Sequence, residues 1–496
     1  MVSQSLIFAR AYEKEAGKRI PASARPLFHL TPRTGWMNDP NGFSFYRGQY
    51  HLFYQYYPYE TEWNSMHWGH AVSEDLLHWT YLPAALAPDE PYDSFGCFSG
   101  SAIELPDGKQ LLMYTGVRKE GGDKSKELQT QCLAVGDGLD YQKIADNPVL
   151  DASDLPEGLS PYDFRDPKIW WTEDGGYRCV AGARRADKRG VLLLFRSGDG
   201  FSWQFESVLA ENDGRFGLMW ECPDFFRLDG KDVLFVSPQD MLPEGFEYHN
   251  GNGTVCQIGT FDEAAKRFLP ERHQAIDYGI DFYAPQTVLT PDGRRVMIGW
   301  MQNWDTCKVT GYEERPWFGQ MSLPRELSIR DGRLIQQPIR ELSNYRSGRV
   351  EYRDVHVGSP QTLPGVEGRS VEMDIRIRPE DRDNPYHKFT MRFAQDGRYC
   401  SILSYRPHES LLKIDRKFSG SRRAFIHQRR CQVARNDGEL RLRVILDRFS
   451  VEVFVNDGEQ VMTATILTDA AAEGISFEAD GRAVMDLVKY SLFSGE

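Results

Sequence analysis

No stretch of this 496-residue sequence is apolar for long enough to cross a bilayer. Residues 1–20 carry Glu13, Lys14, Glu15 and Lys18 in a helix-like pattern and lack the apolar core of a secretory signal. A cytoplasmic protein that meets no membrane is the expectation. Cysteine is sparse: there are eight, at 97, 132, 179, 222, 256, 307, 400 and 431, and none forms a Cys-x-x-Cys pair. That excludes a disulfide framework and fits reduced thiols. The one close histidine pair, His67 and His70, has no cysteine or carboxylate beside it at zinc-like spacing. No metal and no cofactor is expected. An excess of basic residues is missing too. Lys and Arg total 59 against 72 Asp and Glu, a net charge of −13, which argues against nucleic acid or an anionic membrane as partner.

Helical periodicity is also scarce after the N-terminal segment 1–30. Short strand-like runs with turn signals replace it, the pattern of an all-β protein. Aromatics are plentiful at 12%, with 11 Trp and 23 Tyr, which suits strands and also flat sugar rings. A chain this long divides into two to four domains.

The runs repeat, and the ruler is a turn glycine. Asp39 lies nine residues before Gly48, Ser99 nine before Gly108, Asp166 nine before Gly175 and Glu221 nine before Gly230. Ala284 and Gly293 make a fifth member, and successive members lie 60, 67, 55 and 63 residues apart. Each interval holds a four-stranded sheet, and five such sheets set radially make a five-bladed β-propeller over residues 31–340. Equivalent strand ends then converge on one mouth of the central channel, bringing Asp39, Asp166 and Glu221 together. Seven residues past each glycine the second strand returns to that mouth, which makes Gln55 and Trp300 pocket candidates. The repeat stops near Leu334–Arg349, where a linker is expected. Residues 350–496 read as a β-sandwich of alternating strands without clustered carboxylates. The sandwich is read as a structural or interface module, a surface for self-association into a homo-oligomer, rather than a sugar-binding one.

The first of these strand starts lies in Trp36-Met37-Asn38-Asp39-Pro40-Asn41-Gly42, one carboxylate between two carboxamides on a stiffened backbone. Alone it would pass for a surface turn. Its place in the repeat marks it as a site, with Trp36 and Met37 read as packing beneath it. Two carboxyl groups in a walled pocket, one ionised and one protonated, are what glycosidic cleavage requires. Asp39, held by Asn38 and Asn41, is expected to stay ionised and act as nucleophile. Glu221, in the more apolar Leu218-Met219-Trp220 setting and near two negative groups, should be raised and act as general acid. Asp166, beside Arg165, should stay ionised and bind hydroxyls. Cys222 has no activating histidine and is read as a small buried residue shaping Glu221.

Trp-Met-Asn-Asp-Pro-Asn-Gly at 36–42, Phe-Arg-Asp-Pro at 164–167 and Trp-Glu-Cys-Pro-Asp at 220–224 resemble the three signatures of glycoside hydrolase family 32. Trp63, Phe98-Ser99-Gly100-Ser101, Asp281-Phe282-Tyr283-Ala284-Pro285-Gln286, Gly299-Trp300-Met301 and Leu323-Pro324-Arg325-Glu326-Leu327 extend the match across essentially the whole chain. The resemblance implies a propeller followed by a sandwich and a retaining hydrolysis of terminal β-fructofuranosyl units. Asp39 would attack the anomeric carbon, Glu221 would serve as acid and then base, and Asp166 would hold fructosyl hydroxyls. Asn38, Gln55, Trp63, Ser99, Arg165, Tyr283 and Trp300 would line the pocket around a small carbohydrate. The leaving group stays open among sucrose, sucrose 6-phosphate and short fructo-oligosaccharides, as does transfer to a second sugar instead of water. The basic run Arg184-Arg185-Ala186-Asp187-Lys188-Arg189 is either a phosphate contact or a solvated loop.

Overall fold

Hydrophobic runs separated by glycine-bearing turns form five antiparallel sheets in succession along the N-terminal part of the chain. The computed structural model describes residues 2–121, 126–307, 315–420, 426–434 and 436–493. The sheets begin with strands Gly35–Tyr46, Gly96–Glu104, Arg165–Trp171, Trp220–Leu228 and Tyr283–Leu289, which open blades I to V. Each of these first strands packs against those of the next and previous blades, so the five form a closed ring. Blades II to V are four-stranded, and blade I gains a fifth strand, Trp317–Phe318, which pairs in parallel with Gly35 and Trp36. This strand arrives from the blade V side and clasps the ring shut. The expected five-bladed propeller is therefore the observed one.

The turn glycines explain the regularity. Gly48, Gly108, Gly175, Gly230 and Gly293 all have φ between 77° and 86°, where an L side chain is strained. In blades I and IV the turn is the two-residue Arg47-Gly48 or Asp229-Gly230, with positive φ at both positions as a type I′ hairpin needs.

At the opposite end every first strand is bulged. The ladder slips at Asn38-Asp39, Ser99, Asp166-Pro167, Cys222-Pro223 and Ala284-Pro285. Proline has no N–H to give a ladder and is confined in sheets to edges and bulges, so Pro167, Pro223 and Pro285 mark these sites chemically. A bulge releases a residue from pairing and re-aims its side chain, here toward the channel. The even nine-residue spacing hides one offset. Glu221 faces Ser237 in the ladder, as Arg165 faces Gly182 and Tyr283 faces Trp300. By register Glu221 thus matches Arg165, one residue before the bulge, and Cys222 takes the position that Asp166 and Ala284 hold. All three bulge residues have positive φ, at 64° for Asp166, 47° for Cys222 and 50° for Ala284.

The N-terminal helix spans Gln4–Gly17, capped by Ser3, whose hydroxyl accepts from Leu6 N at 3.1 Å. Its Glu13 is buried against blade I and accepts from Ala84 N at 2.9 Å. The stretch expected as a linker is mostly structured: Arg333–Pro338 is the outermost strand of blade V, Arg340–Tyr345 is a 3-10 turn, and Arg346–Val357 opens the second unit. That unit is a β-sandwich of one six-stranded and one five-stranded sheet. Ile445, Phe454 and Phe493 of the sandwich share a buried cluster with Met37, Val296 and Leu323 of the propeller. Ion pairs cross the same interface: buried His29 lies between Asp447, at 2.9 Å, and Glu452, at 3.1 Å. Arg325 reaches Glu452 at 2.6 Å and Asp277 at 3.0 Å.

Candidate active site

The bulged strand ends surround a cavity of about 1010 Å³ that opens at one end of the propeller axis. Asp39, Asp166 and Glu221, drawn from blades I, III and IV, all line it. Asp39 is 9% exposed, and its two oxygens differ. Oδ2 accepts from Ser99 Oγ at 2.8 Å and faces Cys222 Sγ at 3.6 Å, whereas Oδ1 has no partner. Burial, then the charge of Glu221, raises Asp39 to about 6. The sequence reading of a readily ionised Asp39 is corrected here. Asn41, expected to hold that charge, is turned away, and its Oδ1 accepts from Gly100 N at 3.3 Å in blade II. Asn38 stays beside Asp39, with its own Oδ1 fixed by Trp36 Nε1 at 2.7 Å.

Asp166 accepts from the Cys222 backbone N at 2.9 Å. Burial raises its carboxyl as well, more than Arg165 lowers it, and Glu221 and Asp39 push the same way. The expected low value fails because burial outweighs Arg165, whose guanidinium makes its hydrogen bonds elsewhere. Its Nε and Nη2 donate to Glu221 Oε1 at 3.1 and 3.0 Å, and Nη1 reaches Asp163 at 3.3 Å. Glu221 is thus not in the apolar setting that Leu218-Met219-Trp220 suggested: its Oε2 accepts from Tyr283 OH at 2.7 Å. Cys222 shapes the other two acids instead, with Sγ 3.6 Å from Asp39 and 3.7 Å from Asp166. Burial and those charges push its thiol well up, so it is no nucleophile.

Of the expected lining residues, Asn38, Gln55, Trp63, Ser99 and Arg165 do face the cavity. Gln55 is fixed by donating to Cys97 O at 3.0 Å. Two do not face it. Tyr283 is fully buried behind Glu221, and Trp300 is fully buried with ring centres 6.0 Å from Trp36 and 5.0 Å from Trp304. Position seven after the turn glycine sets the strand end but not the direction of the side chain. Trp36, read as packing, lines the cavity and stacks on Phe318 at 4.5 Å. The walls that sequence reasoning missed are aromatic, Phe98, Trp304 and Phe318, and acidic, Glu62, Glu127 and Asp163. Phe98 stands beside Ser99 on the first strand of blade II, Glu127 starts a later strand of that blade, Trp304 lies on a short helix, Phe318 on the clasp strand, and Glu62 and Asp163 on loops, so the nine-residue spacing pointed to none of them. Met37 is fully buried. Among the described residues no group of three or more His, Cys, Asp or Glu is arranged to hold a metal ion, and no helix is long and apolar enough to cross a membrane.

Comparison with known proteins agrees over the whole length. Residues 29–338 match the glycosyl hydrolases family 32 N-terminal domain, and residues 341–493 match the family 32 C-terminal domain. The raffinose invertase of Escherichia coli is 37% identical over 98% of both chains. The sucrose-6-phosphate hydrolase of Zymomonas mobilis is 36% identical over 98% of this chain and 96% of that one. A Bombyx mori family 32 β-fructofuranosidase, solved as a mutant in complex with sucrose, superposes with a TM-score of 0.85 at 33% identity over 99% of both chains. With both of its domains matched and its three carboxylates on one axis, the chain belongs to glycoside hydrolase family 32.

Proposed function

We propose that this β-fructofuranosidase cleaves terminal fructosyl units by double displacement, with Asp39 as nucleophile, Glu221 as acid and base, and Asp166 as the anchor for fructosyl hydroxyls. The propeller, residues 31–340, carries the chemistry, and the sandwich, residues 350–496, supports it together with segment 1–30. The observation that carries the reading is the convergence of three carboxylates from three blades on one cavity, with Asp39 aimed by the Ser99 hydroxyl, which donates to its Oδ2 at 2.8 Å. A nucleophile needs a held carboxylate with an acid beside it on the same cavity.

The Asp39 carboxylate adds to the anomeric carbon as the glycosidic bond breaks, while Glu221 gives its proton to the leaving oxygen. Asp166 accepts from hydroxyls and balances positive charge developing on the ring. In the second half Glu221 takes a proton from water, which attacks the same carbon and frees Asp39. Tyr283 suits this exchange because its hydroxyl has two acceptors in reach, Glu221 Oε2 at 2.7 Å and Ser237 O at 2.9 Å. It donates to Glu221 when that group is ionised and turns to the carbonyl when Glu221 carries the proton. Arg165, on Oε1, keeps the glutamate aimed in both states.

Two experiments at the same centre test the reading. Identifying the first-formed fructose anomer by NMR, within seconds of mixing with sucrose, tests the mechanism. The β-furanose is expected first, and an α-furanose would rule out the covalent route. The pH profile tests the nucleophile. Asp39 works only when ionised, so kcat/KM should fall as pH drops through about 6. Ser99→Ala removes a hydrogen bond that favours the charged form, so this acid limb should move upward by about one pH unit. A limb that stays in place would mean Ser99 does not hold the charge.

A further inference from the structure

The cavity has a closed floor and an open mouth, and the two ends carry different chemistry. Asp39 and Asp166 are buried at the floor, whereas Glu62 is exposed and Glu127 half-buried. A terminal fructosyl unit must fill the floor to reach Asp39, so whatever it is attached to extends toward Glu62 and Glu127. Among the described residues that line the cavity, six are carboxylates and two are arginines. Both arginines are already engaged. Arg165 is held by Glu221 and Asp163, and Arg184 Nη2 pairs with Asp163 Oδ2 at 2.6 Å. In the basic run behind Arg184, Arg185 pairs with Glu211 at 2.9 Å and Arg189 with Asp187 at 2.6 Å, and Lys188 is exposed to solvent. Lys119, across the ladder from Glu127, rests its ammonium on the Phe95 ring at 3.6 Å.

We propose that the mouth is an electrostatic filter: Glu62 and Glu127, with Asp163 occupying Arg184, make this enzyme select uncharged leaving sugars over phosphorylated ones. This rests on the fructosidase reading above and names its substrate class. A neutral sugar offers hydroxyls that donate to these carboxylates, so it gains contacts there. A sugar phosphate brings close to two negative charges at neutral pH and can bind only by prising Arg184 from Asp163 or by accepting repulsion. Carboxylates within a Debye length act on such a dianion even when they do not touch it.

The test compares kcat/KM for sucrose and for sucrose 6-phosphate, in wild type and in Glu62→Gln/Glu127→Gln, at low and high salt. Wild type should prefer sucrose by about tenfold or more at low ionic strength. The preference should shrink severalfold at about 0.5 M salt, where screening is complete within a few ångströms. The double variant should narrow it at low salt by about threefold or more, without any change in ionic strength. Equal or faster cleavage of the phosphate ester by wild type, or a ratio that ignores both salt and substitution, would overturn the filter while leaving the fructosidase reading intact. Turnover of neither sugar would overturn that reading, and the filter with it. The salt series needs no variant, so a failure of the double substitution to fold leaves a decisive result.

Discussion

Asp39→Asn is expected to lose sucrose turnover by on the order of 10⁴-fold or more while the folded protein becomes more stable. The two effects have one origin. Asp39 is 9% exposed, and burial followed by the charge of Glu221 lifts it to about 6 from an ordinary carboxyl value of 3.8. A group whose folded pKa lies above its unfolded one destabilises the fold wherever both states are ionised. At pH 7.5 that penalty is about 2 to 3 kcal/mol, from 1.4 kcal/mol for each unit of displacement. It disappears below about pH 4, where both states are protonated. Asparagine keeps the shape and removes the charge, so the variant should melt higher at pH 7.5 and gain little at pH 4. Glu221→Gln should behave differently. It loses the acid but not the nucleophile, so its deficit should be about 10²- to 10⁴-fold on sucrose and far smaller on an aryl fructoside, whose leaving group needs no proton. Retention of even one per cent of sucrose turnover in Asp39→Asn would remove Asp39 from the nucleophile's role. Unchanged melting at pH 7.5 would show that its burial carries no penalty.

Breaking the charge cluster between propeller and sandwich should cost about 3 to 5 kcal/mol per partner removed. Arg325 has no exposed surface and donates to Glu452 at 2.6 Å, Thr463 at 2.6 Å and Gln336 at 3.0 Å. Its guanidinium also lies over the rings of Phe282 and Phe454. Truncation to Met leaves Asp277 buried without its cation and Glu452 with only the His29 cation. Arg325→Met/Glu452→Leu should therefore lose clearly less than the two single changes added together. The cluster has a pH signature as well. Burial by itself would lower His29, but its hydrogen bonds to the Asp447 and Glu452 carboxylates outweigh it and raise the imidazole to about 9. With the folded pKa above the unfolded one, the stabilisation is complete below about pH 6.5 and lost as pH rises through 9. Thermal unfolding of wild type and His29→Gln between pH 6 and 9.5 reads this directly. The wild-type advantage should fade across that window, and a constant difference would assign His29 a packing role only.

The propeller was legible because its repeat has a local cause. A hairpin turn requires positive φ, positive φ selects glycine, and five such glycines at even intervals expose the blades. The second signal, proline after the bulge residue, went unread although Pro167, Pro223 and Pro285 stand in plain view. It would have shown that Glu221 is the partner in register of Arg165 and not of Asp39. What could not be read was anything set by burial or by approach between blades. Asn38 and Asn41 stand on either side of Asp39 in the sequence, yet only Asn38 stays beside it, because the bulge separates their directions. Arg165 adjoins Asp166 in the chain but spends its charge on Glu221, 56 residues away. Neighbourhood along the chain was a poor guide to neighbourhood in the site, and burial, the largest cause of both raised aspartates, was not legible in it at all. The mouth was hidden for a related reason, since Glu62, Glu127 and Asp163 belong to different blades and meet only when the ring closes.

The clasp that closes the ring also sets a clock. Gly35 and Trp36, at the head of the nucleophile's strand, pair with Trp317 and Phe318, and His29 pairs with Asp447, 418 residues later. A ribosome adding 5–20 residues per second leaves His29 waiting roughly 20–80 s for that partner. During synthesis, blade I must persist with an open edge strand and a half-built interface. The catalytic centre therefore cannot close before blade V and the clasp at Trp317–Phe318 have been made, and a chain truncated ahead of that strand can hold most of the blades and none of the activity.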